Sequence, residues 1–129
     1  AQFVVCPTLR LSTIEMCHRY DEPVVPGANT ATEALTAWEA GADLVKIFPA
    51  SVGGPKYIKA LKGPLPQIPM VPVGGVNLDT TADFIRAGSE VVGVGGSLIN
   101  QKLLDAKEFE TITANARRYR EEVQKGRSG

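Results

Sequence analysis

Leu44-Val45-Lys46-Ile47-Phe48-Pro49-Ala50 places one lysine inside an otherwise apolar run. Four of the five residues from Leu44 to Phe48 are large and apolar, the pattern of a strand covered on both faces. Pro49 has no N–H to give to a ladder, so the strand stops there and Lys46 lies near its carboxyl end. Alternate residues of a strand share a face. Leu44, Lys46 and Phe48 therefore point one way, and Val45 and Ile47 the other. Lysine is almost never fully buried without a partner or a purpose. Two readings of Lys46 follow: a nucleophile that the rest of the chain holds in place, or a lysine whose stem packs while its ammonium reaches solvent.

Outward from this stretch, strand and helix patterns alternate. Gln2–Cys6 is a short β-branched run that Pro7 ends, and Leu11–Tyr20 reads as a helix. Pro23–Val25 is a second strand, stopped by Pro26-Gly27. Thr30 and Glu33 have the spacing of a capping box, and the helix they start ends at Gly41. After the lysine strand come a loop, a helix over about Lys56–Leu61 and a breaker at Gly63-Pro64-Leu65-Pro66. Met70–Val73 is the fourth strand and runs into Gly74-Gly75. A helix from Asn77 to Gly88 leads to a fifth strand, Val91–Val94, which runs into Gly95-Gly96-Ser97. The last helix is expected over Lys107–Gln124, with Phe109, Ile112, Ala116, Tyr119 and Val123 as its buried stripe. Five such strand–helix units predict an α/β fold, a parallel sheet of right-handed βαβ units. Ligands bind at the carboxyl edge of such sheets, where this chain concentrates its proline and glycine.

Composition narrows the function. The chain has 129 residues, 43% hydrophobic and 22% charged, with a formal net charge of zero. Without a basic excess it is not read as a nucleic-acid binder. No apolar run approaches a membrane span, and no signal-peptide pattern is read. Cys6 and Cys17 lack the spacing of a zinc or redox motif and are expected to stay reduced. Cys17 and the single histidine, His18, are adjacent on a helix and cannot face each other as a catalytic pair.

If the Lys46 face lines a closed, apolar funnel, the ammonium form is disfavoured and the amine can attack a ketone to form a Schiff base. The iminium is an electron sink that permits carbon–carbon cleavage beside it. Gly74-Gly75 and Gly95-Gly96-Ser97 end consecutive strands, and glycine lets backbone N–H groups approach an anion. Barrels often hold phosphate at their last two strands. The alternative is that these glycines only make tight strand-to-helix turns. Arg10, Lys56, Lys59, Lys62 and Arg86 fall in loops or helices and read as solvated. Glu15, Glu33 and Glu39 sit on helices, so no carboxylate is placed at a strand end as the proton-transfer partner.

These segments, in order, resemble one family. They are Val4-Val5-Cys6-Pro7, Val25-Pro26-Gly27 with Thr30–Glu33, Val45–Ala50, Lys59–Pro64, Pro72–Leu78 and Val94–Ser97. Together they are similar to the class I aldolases that cleave 2-keto-3-deoxy-6-phosphogluconate, many of which also act on 4-hydroxy-2-oxoglutarate. The resemblance implies that Lys46 is the Schiff-base lysine, that Phe48 lines the pocket, and that Gly74, Gly75, Gly96 and Ser97 help bind substrate phosphate. It implies a (β/α)8 TIM barrel of which this chain matches the last five units, strands 4–8. It also implies a cytoplasmic enzyme, commonly trimeric, with a small-molecule 2-keto acid as substrate and no metal or organic cofactor. Its products would be pyruvate and glyceraldehyde 3-phosphate, or pyruvate and glyoxylate from 4-hydroxy-2-oxoglutarate. The first three units would carry the family's acid/base glutamate and a substrate-binding arginine. Val73 stands where the family usually has threonine before its glycine pair.

The expectation is thus a partial aldolase barrel over residues 1–124, followed by a flexible tail at 125–129. Two other readings compete with it. The chain could be a structural piece that associates with a complementary piece or with its own copies to cover open sheet edges. It could also be a phosphate-binding barrel enzyme of another class, such as an isomerase, which leaves Lys46 without a role.

Overall fold

In the computed structural model, which describes residues 1–129, short strands alternate with helices over most of the chain. The chain runs β1 (Val4–Val5), α1 (Leu11–Arg19), β2 (Val24–Val25), β3 (Gly27–Ala28), α2 (Ala31–Glu39) and β4 (Val45–Ile47). It continues through α3 (Gly54–Lys62), β5 (Met70–Pro72), α4 (Leu78–Arg86), α5 (Gln101–Asp105) and α6 (Phe109–Ser128). All strand pairs are parallel: β1 with β2, β3 with β4, and β4 with β5. This is the expected α/β architecture. Pro26 separates β2 from β3 because it has no N–H for the ladder. Neighbours still follow chain order. The Asp43 N–H donates to the Val24 carbonyl at 3.1 Å, and the Lys46 N–H donates to the Pro26 carbonyl at 2.9 Å.

The helices cover one face of the two short parallel sheets, β1–β2 and β3–β4–β5. Val45, Ile47 and Met70 point into a core with Ala34, Ala37, Ile58, Leu61, Ile68 and Phe84. Each large side chain buried there contributes about 1.5–3 kcal/mol. The other face carries Val5, Leu44, Lys46, Phe48, Val73 and Val91. Here Val5 is 48% exposed and Val91 38%, and Leu44, Lys46 and Val73 are half-buried. A concavity of about 680 Å³ lies against Phe3, Val5, Leu44, Val71, Val73 and Val91. The closed funnel expected around Lys46 is therefore an open apolar face in this chain.

Carboxylates secure the amino ends of the strands. Asp43 Oδ2 accepts the Val24 N–H at 2.8 Å. Glu90 Oε2 accepts the Met70 N–H at 2.7 Å, and its Oε1 pairs with the Lys62 ammonium, which also donates to the Ile68 carbonyl. Lys62 is thus a half-buried clasp, not the solvated residue the sequence suggests. Cys6 and Cys17 are free thiols, and His18 Nε2 lies 2.9 Å from the Gly41 carbonyl oxygen. No helix is long and apolar enough to cross a membrane.

Several boundaries differ from expectation, and α5 is a helix that the sequence reading does not place. Val91–Val94 forms only an isolated bridge, Gly93 to Val73. A ladder needs a neighbour along its length, and this segment has one contact on one side. Helix α6 continues through Ser128, so residues 125–128 are helical where a flexible tail is expected. The reason is Gly126, which is buried. A Cβ there would lie 2.6 Å from Ile85 Cβ and 2.8 Å from the Ala82 carbonyl oxygen, so only glycine lets α6 approach α4 this closely. Finally, α3 starts at Gly54, with Pro55 in its first turn, where proline's missing N–H costs nothing.

The start of α2 behaves as its sequence predicts, with one change. Thr30 Oγ1 accepts the Glu33 N–H at 3.2 Å, but Glu33 Oε2 accepts the Asn29 N–H at 2.8 Å in place of the Thr30 amide of a capping box. The Asn29 amide, then the Thr30 hydroxyl, hold the Glu33 carboxyl below its ordinary value. A depressed native pKa contributes stability above the unfolded value and loses it as pH falls through the native one. Acid titration should therefore show stability falling from about pH 4.3, the usual glutamate range, with Glu33→Gln flattening that part of the curve. An unchanged profile in Glu33→Gln would rule out this contribution.

Candidate active site

Lys46 is the middle residue of β4, and its backbone is paired on both sides, with Gly27 of β3 and Val71 of β5. Paired neighbours hold the lysine stem in place on the open face, while Val45 and Ile47, 0% and 1% exposed, anchor the strand from the other. Two residues on, Phe48 shares the lysine's face, and Lys46 Nζ lies 4.5 Å from the centre of its ring. The local alternation read from the sequence is thus what the strand adopts.

Beside Phe48 lies a second concavity of about 450 Å³. It is lined by Phe48, Val73–Asn77, Gly93 and Gly95–Ser97. Phe48, Gly74, Gly75, Gly96 and Ser97 all meet here. Lys46 is not in its wall, but it stands against Phe48, which is. Gly74 and Gly75 have φ of +87° and +79°, a left-handed conformation that costs other residues. A Cβ on Gly74 would lie 3.1 Å from Phe48 Cε2, and one on Gly75 2.6 Å from Ser51 Cβ. Gly95 and Gly96 have open space at the corresponding position. The two glycine loops are linked, because the Ser97 hydroxyl donates to the Val76 carbonyl at 2.7 Å.

Backbone accounting sharpens what this cavity can do. The amides of residues 74–76 and 95–97 donate to no other backbone group. The Asn77 amide, by contrast, is taken by Thr80 Oγ1 at 3.1 Å. Unpaired N–H groups gathered in a concavity beside a helix start make a site for an anion. Asn77 caps α4, its Oδ1 accepting from Asp79 and Thr80, so the helix dipole opens toward the same cavity. Val76 joins the site without a signal in the sequence, and the loop after β4 braces the Gly74-Gly75 turn, with the Ser51 N–H on the Gly74 carbonyl at 2.9 Å.

The left-handed loop carries a testable cost. Gly75→Ala should destabilise the protein by about 1–2 kcal/mol from its φ alone, and the contact with Ser51 adds to this. Gly96→Ala should leave stability within about 0.5 kcal/mol. Thermal denaturation of the two variants checks the contrast, and equal melting temperatures would contradict this loop geometry.

Known proteins are similar to this chain in sequence and fold. The chain is 42% identical over 124 residues to the 2-dehydro-3-deoxy-6-phosphogalactonate aldolase of Escherichia coli K12, covering 95% of this chain and 60% of that protein. It is 37% identical over 114 residues to the 2-dehydro-3-deoxy-phosphogluconate aldolase of Haemophilus influenzae Rd, covering 87% and 53%. A solved structure described as native KDPGal superposes with a TM-score of 0.85 at 41% identity, over 96% of this chain and 61% of that one. The chain thus spans about 60% of the length of the first of these relatives. The sequence pattern of the KDPG and KHG aldolases runs through residues 1–115, across every element from β1 to α5, and on that match, with relatives that keep the same fold, the chain belongs to this aldolase family.

Proposed function

We propose that the protein is a class I aldolase that cleaves a 2-keto-3-deoxy-6-phosphoaldonate to pyruvate and glyceraldehyde 3-phosphate, with Lys46 as the Schiff-base nucleophile. The observation that carries this reading is the lysine in the middle of β4, set over Phe48, which lines a cavity of unpaired glycine amides. In the reaction, Lys46 Nζ attacks the C2 ketone and the carbinolamine loses water to give an iminium. A base takes the proton of the C4 hydroxyl, the C3–C4 bond breaks, and its electrons pass into the iminium as an enamine. Protonation at C3 and hydrolysis then release pyruvate and regenerate the lysine. The Schiff base supplies the electron sink, so this reading calls for no metal or organic cofactor. Gly74, Gly75, Gly96 and Ser97 serve the substrate phosphate through their backbone amides, and Phe48 lines the pocket.

The base is not among the residues around Lys46. Glu33 is tied into the cap of α2, and Glu90 into the clasp at the amino end of β5. We assign the proton transfer to the part of the barrel that the relatives have and this chain does not match. In this reading residues 1–124 are strands 4–8 of a (β/α)8 barrel, whose remaining strands close the open apolar face. A homo-oligomer, trimeric and cytoplasmic, completes the proposal. Borohydride reduction with pyruvate tests it: mass should be added at Lys46. An unmodified Lys46 under conditions that label another class I aldolase would overturn the lysine assignment.

The configuration at C4 is a second question. The galactonate-type relative is 42% identical and the gluconate-type relative 37%. Val73, which lines the cavity, presents methyl groups and no hydroxyl. The first observation favours the galactonate epimer, and the second removes a hydroxyl that could bond the substrate. Cleavage of the two epimers side by side decides between them, and 4-hydroxy-2-oxoglutarate tests tolerance of a substrate without phosphate.

A further inference from the structure

We infer that Phe48 is a catalytic residue in its own right, whose ring face stabilises the positive charge that develops on Lys46 Nζ when the iminium forms. The inference rests on the Schiff-base reading and adds to it the electronic role of one side chain. Nζ lies 4.5 Å from the Phe48 ring centre, within the range in which the negative face of an aromatic ring attracts a cation. That nitrogen is neutral in the carbinolamine. The carbinolamine hydroxyl takes a proton from solvent, the C–O bond breaks, water leaves, and the nitrogen lone pair becomes the second bond of C=N. The charge then resides on the nitrogen beside the ring. The ring favours the product of this step over its reactant, which is the differential interaction that catalysis requires.

The geometry around the ring supports a role beyond lining. Phe48 has its own backbone amide on the Ala28 carbonyl at 3.0 Å, at the end of the β3–β4 ladder. Its Cε2 and Cδ2 would lie 3.1 and 3.3 Å from a Cβ on Gly74. The missing side chain at Gly74 thus lets the chain after β5 pack against the ring edge and leaves the face to Lys46. Gly74 is a positioning residue for the ring. Apolar lining alone asks for neither an aromatic face nor this edge contact.

The test replaces Phe48 with 4-fluoro-, 3,5-difluoro- and 3,4,5-trifluorophenylalanine, which keep the ring's shape while draining charge from its face. The readout is the rate of borohydride labelling of Lys46 at saturating pyruvate, where the neutral carbinolamine is the reactant. Labelling should fall stepwise, reaching about three- to ten-fold below the unsubstituted protein with the trifluoro ring. Phe48→Leu should fall at least as far. Gly74→Ala should lower labelling more with Phe48 present than in the Phe48→Leu background; equal falls in both backgrounds would remove Gly74 from the proposal. Labelling that stays flat across the fluorinated series, with Lys46 still modified, would overturn the role of the ring and spare the lysine. No label on Lys46 in the unsubstituted protein would overturn both, since the ring would then have no iminium to stabilise.

Discussion

Lys46→Ala should abolish borohydride labelling with pyruvate and lower kcat/KM for aldol cleavage by a factor on the order of 10⁴–10⁶, the usual loss when a covalent nucleophile is removed. The fold should survive the change. Lys46 is half-buried on the open face, and the core that β4 supports is built from Val45 and Ile47 on the other. Its removal leaves both β4 ladders in place, since these use backbone groups alone. The melting temperature should therefore move by only a few degrees. Lys46→Arg makes the sharper control. It keeps the positive charge but replaces the amine with a guanidinium that stays protonated and cannot attack a ketone. It should be as inactive as the alanine variant. Steady-state cleavage assays measure both, and activity within tenfold of the unmodified protein in either variant would rule out covalent catalysis by this residue.

Gly27→Ala should be the most damaging small substitution in the chain. Gly27 lies in β3 and pairs in register with Lys46. A Cβ there would lie 2.2 Å from the Pro7 carbonyl oxygen and 2.3 Å from the Pro7 carbonyl carbon. Those are backbone atoms and cannot rotate away. Either the loop after β1 or β3 itself must shift. Overpacking of this kind costs about 1–3 kcal/mol, occasionally more, and about 3 kcal/mol is expected here because no flexible side chain can absorb the clash. At this chain length that lowers the melting temperature by roughly 10 °C. Labelling of Lys46 should slow as well, since β3 is one of the two strands that hold it. Thermal denaturation with a parallel labelling assay measures both effects. A Gly27→Ala protein as stable as the parent would show that the contact between β3 and the first loop is looser than described.

Much of the site was legible in the sequence because its determinants are local. The lysine's face followed from the two-residue period of a strand, and its height from the proline that ends the ladder. Helix α2 began where Thr30 and Glu33 placed it, because a cap is chemistry among residues three apart. The glycine pairs announced their loops, since φ of +87° and +79° at Gly74 and Gly75 suits no other residue as well.

Other features depended on neighbours remote in sequence. Val91–Val94 has the composition of a strand, yet only Gly93 is paired, because a strand exists through its partners. Residues 125–128 have the composition of a tail, yet they are helical and Gly126 is buried against Ala82 and Ile85. Lys62 and Glu90 look like surface charges until the fold brings them together beside the Met70 amide.

By itself the sequence determined the alternation of strand and helix, the side on which Lys46 emerges and the loops able to receive an anion. All of these are set by periodicity and backbone freedom within a few residues. Only the tertiary structure decided that the unpaired amides of two glycine loops share one cavity, that Phe48 stands between that cavity and Lys46, and that the lysine's face is open in this chain. Contact, burial and the satisfaction of backbone groups are properties of segments brought together, and no local pattern encodes which segments those will be.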